Sequence, residues 1–181
     1  MKTRTCASVL AVPLALAALT GCGMSDDKDE KSGGVPFAGT STSRDAADAM
    51  KKTSSGVYEL IGVKGKASEN FPGVTECTGK DKKTYFRIYH PWSFRPASAG
   101  DLDEAMERLK RELPKHGWKI VEYGPDTSKN KNINLTADND KKKVSVNIVK
   151  MSKGDRPMLS LDLVSGCYQV PEGEEVDLYP S

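Results

Sequence analysis

The chain has 181 residues, with 27 Lys and Arg against 25 Asp and Glu, and 37% of it is hydrophobic. That apolar fraction supports one modest core, so a single folded domain is expected. The formal charge is +2, and with the two basic residues of 1–21 set aside the remainder is neutral, which argues against nucleic acid as a partner.

The N-terminus opens with Lys2 and Arg4, and no acid appears before Asp26. Ala7 to Ala18 is apolar apart from Ser8 and carries Pro13 in its middle. This is the anatomy of a signal peptide. A spanning helix needs about 20 apolar residues, and this interrupted run is too short for one. It ends in Leu19-Thr20-Gly21-Cys22. These four residues resemble the lipobox of bacterial lipoproteins: an aliphatic residue, a small one, Gly or Ala, then Cys. The resemblance implies that the Cys22 thiol receives a diacylglyceryl group and that a lipoprotein signal peptidase cuts between Gly21 and Cys22. Two acyl chains give a stable anchor where one holds only marginally. The alternatives are an ordinary secretory cut near Ala15-Leu16-Ala17 and an uncleaved leader. Loss of residues 1–21 removes two basic residues and no acid, which leaves 25 of each sign.

Of the four cysteines, Cys6 leaves with the leader and Cys22 is acylated, so Cys77 and Cys167 remain. In an exported protein such a pair reads as a disulfide. A reactive thiol assisted by a histidine is the competing reading.

Residues 22–42 are rich in Gly, Ser and charge and are expected to form a flexible tether. A helix should start at Ser43, with Thr42 and Asp45 as a capping box and Ala46, Met50, Thr53, Val57 and Leu60 on one face. Gly62 is the expected stop. After a loop, Gly73 to Cys77 reads as a short strand, and Thr84 to His90 as a clear one with Phe86, Ile88 and His90 on one side. Pro91-Trp92-Ser93-Phe94-Arg95-Pro96 reads as a loop between two prolines. With Arg87, its residues Trp92, Phe94 and Arg95 form a candidate binding surface, since aromatics and Arg anchor interfaces. Alternatively, Trp92 and Phe94 fold down onto the core.

A second helix is expected from the capping pair Ser98 and Asp101, with Leu102, Met106, Leu109 and Leu113 as its apolar stripe. Pro114 and Gly117 end it. Strands follow at 118–123, 133–138, 144–148 and 159–163, and three consecutive strands with one apolar and one polar face indicate an antiparallel meander. Residues 172–181 look like a loose acidic tail.

The expected fold is α+β: two amphipathic helices on one face of a mainly antiparallel sheet of five or six strands, spanning 43–171 and closed by one disulfide. No catalytic motif is present, and no cofactor is expected. With only His90 and His116, a zinc site of usual composition is hard to assemble. Asp138-Asn139-Asp140 lacks the glycine and glutamate of a calcium loop. In leader, length and cysteine pair the chain resembles small lipoproteins of high-GC Gram-positive bacteria. The expected role is a non-catalytic binding or accessory module on the outer face of the cell membrane. It would touch the membrane through its lipid and meet an envelope protein or small ligand. The other reading is a small envelope hydrolase whose carboxylates meet only in the fold.

Overall fold

The structure is a computed structural model that describes residues 35–153 and 156–179. The leader, the Gly21–Cys22 cleavage point and most of the tether lie outside the described residues.

The longest strand, β4 (Tyr85–Pro96), organises the sheet. One of its edges pairs with β8 (Met158–Ser165) along Tyr89–Phe94 and with β9 (Cys167–Gln169) along Tyr85 and Phe86. The other edge takes β3 (Gly73–Glu76) and, after a gap, β2 (Gly65–Ala67). Beyond β8 the sheet continues through β7 (Val144–Met151), β6 (Ile133–Asn139) and β5 (Lys119–Pro125), all antiparallel. At the far end β1 (Phe37–Thr40) lies parallel to β9.

The expected fold class is therefore corrected. Among the described residues the chain forms one curled, mixed sheet of nine strands, not a mainly antiparallel sheet of five or six. The extra strands have physical reasons. β1, β2 and β9 are only three or four residues long, too short for an alternation to register. Pro91 and Pro96 suggested a loop, yet both lie within β4. Pro91 is tolerated because the edge it would have donated to is open. Its carbonyl accepts from Asn70 Nδ2 at 2.7 Å, on the side where β3 has ended and β2 has not begun, so its nitrogen faces the same gap and no ladder bond is lost.

Two boundaries also move. The last residues of the expected tether form β1, and just before it the Pro36 carbonyl accepts from Cys167 N–H at 2.8 Å. Gly166, between β8 and β9, permits this approach, since a Cβ there would sit 2.3 Å from the Pro36 oxygen. The tail is docked as far as Asp177. Val176 N–H donates to the Lys83 carbonyl at 2.9 Å, and Asp177 N–H to Ser43 Oγ at 3.1 Å.

Helix α1 (Ser43–Ile61) starts where Thr42 Oγ1 accepts from Asp45 N–H. It buries Ala46, Met50, Thr53, Ser54, Val57 and Ile61; Leu60 is only partly covered. Gly62 closes it at φ +67°, a conformation strained for any residue with a Cβ, and a Cβ would also strike the Arg108 guanidinium at 2.1 Å. Helix α2 (Asp101–Glu112) differs from expectation at its start. Gly100 is the N-cap and no side chain caps it; Asp101 N–H bonds the Ser98 backbone carbonyl instead. Its stripe of Leu102, Ala105, Met106 and Leu109 continues into Leu113, which begins a single 3₁₀ turn ending at Gly117.

Both helices contribute to one core with the inward side chains of the sheet. Phe86, Ile88, Trp92 and Phe94 from β4 meet Leu159, Leu161 and Leu163 from β8, then Val146 and Ile148 from β7 and Leu135 from β6. At about 1.5–3 kcal/mol for each fully buried aliphatic or aromatic side chain, this layer is the dominant favourable contribution to folding. No helix of the described residues is long and apolar enough to cross a membrane.

Candidate functional site

The period of a strand decides the fate of the four residues expected to form a binding surface. Within β4 even-numbered side chains point inward, and odd-numbered ones point away. Trp92 and Phe94 are core residues, 6% and 0% exposed. Arg87 is half-buried on the opposite face, beside Asp138, Lys143 and Ser165 at the rim of a hollow of about 310 Å³. Arg95 is exposed and sits directly across from Lys66 of β2. The four do not share a surface, so the expected lip at 91–96 is withdrawn. The two aromatics serve packing, as the alternative reading held.

Cys77 and Cys167 form a disulfide, with Cα atoms 5.9 Å apart and 90 positions between them in sequence. Both are buried, at 2% and 4% exposed. The bridge joins the end of β3 to the start of β9 across the β4 edge.

The strand that buries Trp92 also buries His90, and this is where polar chemistry enters the core. Asn70 belongs to the segment 68–72, which spans the gap between β2 and β3 and is bonded to β4 at several points. His90 Nε2 lies 3.0 Å from the Asn70 carbonyl, Ser93 N–H donates to Ser68 Oγ at 3.0 Å, and Ser68 N–H donates to the Ser93 carbonyl at 2.8 Å. A carbonyl only accepts, so the proton of neutral His90 is assigned to Nε2, and Nδ1 carries the lone pair. Burial pushes His90 below its ordinary pKa of 6.5; the Asn70 carbonyl works the other way, and the nearby Lys51 charge lowers it further.

His90 and Trp92 line one wall of a cleft of about 180 Å³. Lys51, Ser54, Ser55 and Tyr58 of α1 form the facing wall, and Ala67, Ser68 and Asn70 close the third side. Two buried ring nitrogens, His90 Nδ1 and Trp92 Nε1, find no hydrogen-bond partner among the described residues. At the mouth, Tyr58 is 42% exposed with its ring 6.2 Å from that of Trp92. Phe71 is 78% exposed, and the Lys51 ammonium lies 5.4 Å from its ring centre. No carboxylate lines the cleft, and among the described residues no three His, Cys, Asp or Glu side chains are grouped to hold a metal ion.

Sequence reasoning did not find this site. One signal was available: a histidine in register with Phe86 and Ile88 on the inward face of a strand is a polar residue at a core position, and such breaks of pattern mark special sites. Tyr58 and Phe71 gave none, because only the fold brings them together. Compared with protein-family models, with curated proteins and with solved structures, the chain matches none of them.

Proposed function

We propose that the protein is a bacterial lipoprotein, held by acylated Cys22 on the outer face of the cell membrane, and that it acts as a non-catalytic binding module. The leader and lipobox supply the address. The Cys77–Cys167 bridge fits a chain that matures in an oxidising compartment. The observation that carries the binding role is the α1–β4 cleft, where two buried nitrogens lack partners beneath a rim holding exposed Tyr58 and Phe71. Buried polar groups are nearly always satisfied, so two nitrogens without a partner among the described residues, both on side chains that line one cleft, support a ligand that completes them. A hydrolase working through paired carboxylates would need them in a concave site; none lines this cleft, whereas Asp138 and Asp140 both line the larger hollow beside Arg87.

Two measurements test the reading. In cell fractions the wild-type chain stays with membranes and Cys22→Ser is released; retention of the variant overturns the anchor. A photoreactive residue at position 71 captures a partner on intact cells, and the same residue at Arg95 does not. Equal capture from both positions overturns the assignment of the cleft.

A further inference from the structure

The chemistry of the cleft narrows what it takes, and this step rests on the binding-module reading above. Trp92 Nε1–H can only donate. His90 Nδ1, with Nε2 committed to the Asn70 carbonyl, can only accept while the ring is neutral. The two side chains stand on the same face of β4, two residues apart, so their Cα atoms are separated by about 6.6 Å. A partner must therefore offer both an acceptor and a donor. A hydroxyl serves both only from a single oxygen within hydrogen-bond reach of each nitrogen, whereas two separate atoms span side chains whose Cα atoms stand this far apart. A carboxylate offers no donor and meets the Nδ1 lone pair head-on. It would bind only if His90 were protonated, which burial and the Lys51 charge oppose. An ammonium group offers no acceptor and is repelled by Lys51. A carboxamide satisfies both nitrogens at once.

Size and surroundings fit a side chain rather than a whole metabolite. A volume of about 180 Å³ is below the range of roughly 300–1,000 Å³ for clefts that enclose drug-sized ligands. The exposed ring of Phe71 offers apolar surface for the stem behind the polar head.

We infer that the cleft binds the side-chain carboxamide of an Asn or Gln in a peptide partner, its oxygen accepting from Trp92 Nε1–H and its N–H donating to His90 Nδ1, with Tyr58 swinging outward to admit it. Both nitrogens are buried, so hydrogen bonds made to them lie out of contact with bulk water.

The test uses the full chain, isotope-labelled and held in detergent micelles, titrated with N-acetyl-glutamine N-methylamide and with its glutamate counterpart. The two probes differ only in the side-chain group. Trp92 and Trp118 are the two tryptophans of the chain, so the Trp118 indole signal is an internal control. The expected result is that the glutamine probe shifts the Trp92 indole N–H and the His90 ring nitrogens at millimolar concentration, leaving Trp118 in place. The glutamate probe binds about tenfold or more weakly, as expected when a buried polar group is left unpaired. Trp92→Phe and His90→Phe each keep an aromatic ring without the polar nitrogen and each weaken glutamine binding, while Tyr58→Ala strengthens it.

The ring nitrogen spectrum of the wild type adds a check that needs no variant, since a proton on Nδ1 instead of Nε2 overturns the proposal. So does an absence of shifts with both probes, or equal binding of the two. If either variant fails to fold, the wild-type comparison of the two probes still decides. A negative titration beside continued capture from position 71 leaves the binding module standing and removes the carboxamide alone. Loss of both removes the module.

Discussion

Removing the disulfide is the perturbation whose size follows most directly from the structure. Replacing Cys77 and Cys167 by Ala opens a covalent loop with a sequence separation of 90. In the chain-entropy account a loop of that length withholds about 4.5 kcal/mol of conformational freedom from the unfolded state. For a domain of this size, each kcal/mol moves the melting temperature by about 2–4 °C, so the double variant should melt roughly 10–18 °C lower. Urea unfolding followed by circular dichroism checks the cause. The midpoint should fall and the slope should rise, because the uncrosslinked unfolded chain is more expanded. Hydrogen exchange should show the loss first in β1 and β9, the short strands that hang from Cys167. A drop below about 1 kcal/mol with an unchanged slope would refute the reasoning, since the bridge would then not be restraining the unfolded chain.

Three further outcomes are expected. Phe94→Ala should cost about 3–5 kcal/mol in urea unfolding, whereas Arg95→Ala, one residue on and exposed, should stay within about 0.5 kcal/mol; similar losses would return the segment to the loop reading. Folded His90 binds its proton more weakly than the unfolded chain does, so acidification favours unfolding. Stability should therefore be complete above pH 6.5, fall as pH drops from there towards the lowered folded value, and then level off. The difference between wild type and His90→Phe isolates this slope, and a difference of opposite sign or none would sink it. Thr42→Ala should cost about 1 kcal/mol in thermal unfolding by removing the acceptor for Asp45 N–H, with Thr42→Ser restoring most of it.

Regular repetition was readable in the chain, and its interruptions were not. The alternations at Leu135 and Ala137, at Val144, Val146 and Ile148, and at Leu159, Leu161 and Leu163 face the core as their spacing implies. The α1 face and the Gly62 stop also follow from local chemistry. What sequence alone missed depends on distant partners. β4 continues through Pro91 only because β3 and β2 leave an opening there, and no property of residues 85–96 announces the opening. β1 is a strand because β9 lies alongside it, and β9 is placed by a covalent bond to Cys77. For Trp92 and Phe94 composition left both a surface and a core reading open, and it was their parity with Phe86 and Ile88 along β4 that placed them inside.

The parallel pairing of β1 with β9 also fixes how mechanical load enters the domain. A pull from the N-terminal side arrives at Pro36 and Phe37, which bond to and lie opposite Cys167. From there the tension passes through two sulfur atoms to the end of β3, which lies along β4, the longest strand of the sheet. Stretching the chain from that side therefore loads the β1–β9 hydrogen bonds first, while the covalent strut keeps β9 from being drawn out with β1.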